Sequence, residues 1–395
     1  MSGAPYAVPW SWFGSIGGGN VPLLHKIAGV VIVCAVILGL TLPGVRRGHD
    51  KGATATRAGA ATRTTPPARG APGGGRAGAS APPRSEAAAQ SVTRPIAAAV
   101  PAAVAAKANE LGQVPVLMYH RIMKKAELSL DRSSKELYDE LTRLAKSGYV
   151  PVTAAEFVSG RFDVPAGRHP VVLTFDDSTP GQFGLDPQGN PKPDTAVAII
   201  QQVARENPGF RPVATFYLNK DLFQLTGAEA AAGLRWLIQH GFELGNHTMT
   251  HPDLSGMSEK GVRAELGGME DQIVGITGAH TTTLAYPFGS APRKKAWAQE
   301  DAGKYRFQGI FLAGWKPSES PFDGAFDRWA INRVRSEGKI KENDCTRFCS
   351  TAWLEHLDKN PAERYTSDGD PNTITFPKTS EDRLAKQYRD WGRLY

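Results

Sequence analysis

The stretch PVVLTFDD, residues 170–177, is an apolar run that stops abruptly in two carboxylates. It reads as a buried strand. Neighbouring side chains on a strand point to opposite faces, so a straight strand aims only one of Asp176 and Asp177 at a given site. At a bending strand end both can reach the same mouth and take different tasks. One ligates a metal, and the other stays free as a base.

Working outward, the same grammar recurs. VPVLMYH (114–120), RPVATFYLN (211–219), FELGN (242–246) and TTLAYPFG (282–289) are further short strands. Helical patterns lie between them: one from its cap Ser134 to Gly148, a helix near 195–206, 227–241, and 258–277. Strands alternating with helices imply a parallel sheet, open or closed into a barrel. Barrels gather their working groups at the C-terminal ends of strands. Asp176 and Asp177, then His247 and His251, then Tyr286, Pro287 and Phe288 all stand where a strand pattern stops.

ELGNHTMTHPDL (243–254) places His247 and His251 four residues apart, on one helical turn or a tight loop. The plainer reading is a pair of exposed loop histidines. With Asp177 they make a two-histidine, one-carboxylate set that leaves positions open for water and substrate, as catalytic metal sites do. Zinc is the default occupant, and iron, cobalt or manganese suit the same ligands. Such a metal polarises a carbonyl and acidifies its bound water. Asp176 is then the proton acceptor, in a role worth typically about 10²–10⁴-fold. This equipment hydrolyses an amide or an ester.

The chain has 395 residues and a formal net charge of +7. Residues 43–110, rich in Ala, Gly, Pro and Arg, carry ten Lys/Arg against three Asp/Glu, so the excess belongs to a basic, disordered linker. Residues 111–395 are close to neutral, which argues against a nucleic-acid-binding domain. No protein partner is evident. Residues 27–42 are sixteen uncharged residues, short of the roughly 20 of a spanning helix, and 21–24 extend them. A retained membrane anchor within 21–42 is the preferred reading and a cleaved signal its rival. The basic residues after the segment would by themselves leave the rest in the cytoplasm. Cys345 and Cys349, in CTRFC, are a candidate small disulfide. Residues 380–395 read as a terminal helix, and 178–193 as a lid or substrate loop.

TFDD (174–177), HTMTH (247–251) and YPFG (286–289), opened by PVLMYHRI (115–122), together resemble the polysaccharide deacetylase family of carbohydrate esterases, the NodB-homology domain. The resemblance runs from about residue 112 to about 340. It implies a distorted (β/α) barrel, usually seven-stranded, and metal-dependent removal of acetyl groups from a sugar polymer. By motif, Asp176 is the general base, Asp177, His247 and His251 are the metal ligands, and Thr248 shapes their loop. Tyr286, Pro287, Phe288 and Gly289 line the groove and help hold the oxyanion. An N-acetylated cell-wall or extracellular glycan as substrate favours an exported or secreted catalytic domain.

The chain departs from the family's pattern in three places. Ala285 stands where an arginine usually holds the base, leaving Arg333 and Arg335 as candidates for that task. Trp315 is a loose match to the fourth motif. Leu354-Glu355-His356 matches the acid motif in letters, although its surroundings read as a helix that would leave His356 at the surface. These gaps support a second class of function, a carbohydrate-binding or envelope protein without turnover. A hydrolase of a small amide or ester is a third.

Overall fold

The computed structural model describes residues 95–336 and 345–395. The apolar runs form eight strands: β1 (Val116–Tyr119), β2 (Tyr149–Val152), β3 (His169–Phe175), β4 (Thr215–Leu218), β5 (Glu243–Asn246), β6 (Thr283–Ala285), β7 (Gly309–Phe311) and β8 (Val334–Arg335). Their order is β7-β6-β5-β4-β3-β1-β8, with every pairing parallel. β2 pairs with the first half of β3, on the edge whose second half β4 takes. This seven-strand path curls into a half-barrel. Ile331 bridges Phe311 of β7, and three residues later Val334 pairs with Leu117 of β1. One short segment thus touches both edges of the path.

Alternation along the strands buries both faces of the sheet. Leu117, Tyr119, Leu173, Phe175, Phe216 and Leu218 face the surrounding helices. Tyr119, Phe175 and Phe216 stack across three adjacent strands, with centroids 4.8 and 5.1 Å apart. Val116, Val172, Tyr217, Ala285 and Phe311 belong to the second cluster. Strands buried on both faces read as unbroken apolar runs, which is why they stand out in the sequence.

The longer helices are α1 (Ser134–Lys146), α2 (Ala154–Ser159), α3 (Ala196–Glu206), α4 (Gly227–Gln239), α5 (Glu259–Thr277) and α6 (Ser350–Lys359). Ser133, not Ser134, caps α1: its hydroxyl accepts from the Glu136 amide while Glu136 reaches back, a reciprocal capping box. Thr153 and Glu156 repeat the device on α2, and this helix was not apparent in the sequence.

Three expectations are corrected. Residues 97–110, assigned by composition to the linker, pack into the domain. Ala97 and Ala98 pair with β10 (Gly392–Leu394), which pairs with β9 (Ile374–Phe376). Glu110 is buried and accepts from the Thr375 amide at 2.8 Å and the Tyr365 hydroxyl at 3.0 Å. The terminal helix is instead two 3-10 turns and β10. There Arg383 bonds Asp323 and the Leu111 carbonyl, and Leu384 bridges Asp323, so tertiary pairing draws the chain out. Segment 178–193 is no lid at its start. Gln182 and Phe183 are buried, and a Cβ on Gly181 would collide with the Ile122 carbonyl. Among the described residues no helix is long and apolar enough to cross a membrane, and the apolar segment 21–42 lies outside them.

Burial, then the nearby Asp368 charge, pushes the Glu110 carboxyl up to about 8. The folded chain keeps this proton where the unfolded chain has released it, so stability should fall as pH rises from about 4.5 to about 8. Thermal melts of Glu110→Gln across that window should lack this component of the decline. An identical slope in both proteins would contradict the assignment.

Candidate metal and hydrolytic site

β3 ends at Phe175, and the next residues leave the strand geometry: Asp177 has φ 74° and Ser178 φ 44°. Left-handed backbone is uncommon for residues with side chains and is tolerated where surrounding structure enforces it. Here it undoes the strand's alternation, so Asp176 and Asp177 both line one cleft. The turn is braced from below. Gln182 Nε2 donates to the carbonyls of Asp176 (2.6 Å) and His120 (2.9 Å).

The histidines sit on a loop after β5. Asn246 Oδ1 accepts from the Thr248 amide at 2.9 Å, and Thr248 Oγ1 accepts from the His251 amide at 3.0 Å. Thr248 (φ 66°) and His251 (φ 57°) are both left-handed. Asn246 is itself tied to the buried carboxylate of Glu270 at 2.9 Å. His247 Nδ1 lies 2.8 Å from the Ala285 carbonyl, which only accepts, so Nδ1 carries the proton and Nε2 presents its lone pair to the cleft.

Asp177, His247 and His251 converge, with one ligand atom of each within 4.8 Å of the others. Asp177 Oδ1 is 3.4 Å from Nε2 of both histidines. Tetrahedral donors about 2.0–2.1 Å from a zinc ion lie about 3.3–3.4 Å apart. The donor set and its spacing therefore fit one divalent metal, although they do not select among zinc, cobalt, manganese and iron.

Asp176 lies beside this triad, almost wholly buried. Arg333, also fully buried, holds it with a two-pronged fork: Nη1 to Oδ1 and Nη2 to Oδ2, each 2.7 Å. The guanidinium's other bonds go to Thr174 Oγ1 (3.1 Å) and the Leu312 carbonyl (2.7 Å). Burial alone would raise the Asp176 carboxyl. The charge of Arg333 and its hydrogen bonds outweigh it and hold the group well below the usual carboxylate range. Arg335, two residues on, lies against the Cys345–Cys349 disulfide, donating to the sulfurs at 3.3 and 3.5 Å.

His356 is not at the site. It stands on the outer face of α6, bonded to Glu363 at 2.8 Å, while Leu354 and Leu357 of the same helix point inward. The histidine that does enter the cleft is His120, at the end of β1. Its Nε2 is 4.0 Å from Asp176 Oδ2, and its buried Nδ1 has no partner among the described residues. Burial lowers this imidazole, with the two aspartates opposing. His120 follows the VPVLMYH strand, and the sequence offers both a place in the site and a buried, hydrogen-bonded imidazole for it.

The remaining groove residues divide. Phe288 and Trp315 are exposed at the cleft, whereas Tyr286 and Pro287 are buried. The Tyr286 amide donates to the Phe311 carbonyl and the Gly289 amide to the Tyr286 carbonyl, so neither is available to an oxyanion. Gly289, at φ 68°, lies so close to Ala313 that a Cβ would crowd its backbone.

Arg333→Met strands a buried carboxylate and should cost about 3–5 kcal/mol of unfolding free energy in urea titrations. Adding Asp176→Asn should restore part of that loss, whereas strictly additive losses would contradict the pairing. The folded Asp176 carboxyl sits below its unfolded value of 3.8, so the pair stabilises above that pH and its contribution fades as pH falls further.

Residues 163–307 match the family profile described as polysaccharide deacetylase. YxkH of Bacillus subtilis, whose name assigns it to the polysaccharide deacetylases, is 21% identical over 201 residues, covering 50% of this chain and 64% of that protein. Among solved structures the chain is similar to the Streptococcus pyogenes deacetylase PplD in complex with acetate, with TM-score 0.47, 19% identity, and coverage of 60% and 98% of the two chains. It is also similar to BC0361, a polysaccharide deacetylase from Bacillus cereus, with TM-score 0.45, 22% identity, and coverage of 58% and 66%. The matched segment carries TFDD, HTMTH and YPFG, the motifs on which the resemblance to polysaccharide deacetylases rests.

Proposed function

We propose that the chain is a metal-dependent deacetylase that hydrolyses acetyl groups, foremost N-acetyl amides, on a cell-wall or extracellular glycan. The observation that carries this reading is the juxtaposition of a metal-fitting triad with a separately held carboxylate. Asp177, His247 and His251 converge on one point, and Asp176 Oδ2 stands 3.9 Å from His247 Nε2 without joining the set. A purely structural metal site has no use for that fourth group.

A divalent cation on the triad would supply a Lewis acid for the acetyl carbonyl and for water. Zinc is our first choice. Asp176, kept ionised and aimed by Arg333, takes the proton from the attacking water. His120, facing Asp176 across the cleft, receives that proton and passes it to the departing amine nitrogen, so amine and acetate leave and both groups return to their starting forms. The two gaps that favoured a non-catalytic protein have spatial answers, with Arg333 in the arginine's task and His120 in the acid's. The exposed rings of Phe288 and Trp315 support a sugar substrate over a small amide. We also propose that the domain works outside the cytoplasmic membrane, tethered through 21–42 and a linker of 43–94, or secreted. The Cys345–Cys349 disulfide favours such an oxidising location.

Asp176→Asn should retain one bound metal per chain by elemental analysis yet lose at least about 10²-fold in kcat. His120→Gln should behave alike, and His247→Ala should lose metal and turnover together. Full activity in Asp176→Asn would sink the mechanism.

A further inference from the structure

Three large aromatic side chains stand exposed at one cleft of about 510 Å³: Phe288 (70%), Trp315 (65%) and Phe348 (37%). Leaving such rings in water is costly unless something covers them. Phe288 packs edge-on against the ligand His251, with centroids 4.6 Å apart, and so borders the reacting centre. Trp315 and Phe348 belong to a different unit. Trp353 of α6 donates its indole N–H to the Trp315 carbonyl at 2.7 Å and its amide to the Cys349 carbonyl at 3.2 Å. Helix α6 is itself anchored by buried Leu354 and Leu357 and by a Ser350–Glu140 bond of 2.8 Å.

Phe348 closes the single helical turn Cys345–Phe348, which is too short to hold its shape alone. The Cys345–Cys349 disulfide spans that turn, both cysteines are buried, and Arg335, itself lining the cleft, bonds both sulfurs. The cross-link thus restrains the one residue of the turn that lines the cleft. Fixing a ring beforehand lowers the ordering cost of binding against it.

We propose that Phe348, locked by the Cys345–Cys349 disulfide, and Trp315 form a platform for a second sugar ring of the glycan, so that the site selects a polymer over an isolated acetylated unit. The inference rests on the deacetylase reading above. A pyranose ring offers a C–H face that lies flat on an aromatic plane, and a platform beside the reacting centre engages only a substrate with a neighbouring ring.

The test compares KM for chitopentaose with KM for 4-nitrophenyl acetate, on the full-length, metal-loaded protein. Phe348→Ala should raise the pentasaccharide-to-ester KM ratio about three- to tenfold, the range of one aromatic contact, and Phe348→Tyr should restore it. Cys345→Ser/Cys349→Ser should raise the ratio similarly. So should treatment with a water-soluble phosphine, in which the S–S bond breaks, water supplies oxygen to the phosphine and protons to the two thiols, and the phosphine leaves as its oxide. An unchanged ratio in Phe348→Ala, with the wild type active on both substrates, would overturn the platform. A raised ratio in Phe348→Ala with none on reduction or in the double serine variant would overturn the lock. Wild-type inactivity on both substrates would instead refute the deacetylase reading, and the platform with it.

Discussion

The site depends on a buried ion pair. Arg333 and Asp176 are both withdrawn from water, so each needs the other, and the remaining guanidinium donors need Thr174 and the Leu312 carbonyl. These partners lie on β3, on the exit of β7 and just before β8. Satisfying one arginine therefore fixes the separation of three parts of the curled sheet. A pair of this kind adds little net stability over a well-packed apolar core, and its value lies in orientation. It keeps Asp176 ionised and immobile while the left-handed backbone at Asp177 turns the next carboxylate toward the histidines.

Around that pair the site is layered. Asp176, His247 and Thr248 are buried and held by backbone carbonyls, amides and neighbouring side chains, whereas Asp177 and His251 reach into the cleft half-covered. The rim is aromatic and carried by loops or the cross-linked turn. On the proposed reading, depth supplies fixed geometry for chemistry and the rim supplies area for a sugar ring, so that bond-breaking and substrate selection would reside on different segments.

Much of this was legible in the sequence. Strands covered on both faces left unbroken apolar runs, and those before Asp176, His247 and Tyr286 ended in residues with chemistry. Asp177, His247 and His251 could be grouped because the turn residues around them signalled strand ends. Other features depend on tertiary context. Two arginines two residues apart in INRVRSE gave no ground for choosing, yet one enters the core and the other lies on a disulfide. His356 matched a motif in letters, but the spacing of Leu354 and Leu357 buries the opposite face of its helix. Alanine-rich residues before Gly112 looked like linker because no large apolar side chain announced the anchor, which is the buried carboxyl group of Glu110. The terminal segment lost its expected helix to backbone pairing with residues 322–324, contacts no local propensity records.

The central claim is that one metal, held by Asp177, His247 and His251, is needed for acetyl hydrolysis. The most direct measurement is acetate release from an N-acetylated oligosaccharide by chelator-stripped protein, followed by titration with zinc. The account predicts negligible release from the stripped protein and recovery that saturates at one metal per chain. Release by the stripped protein at the rate of the restored one would contradict it.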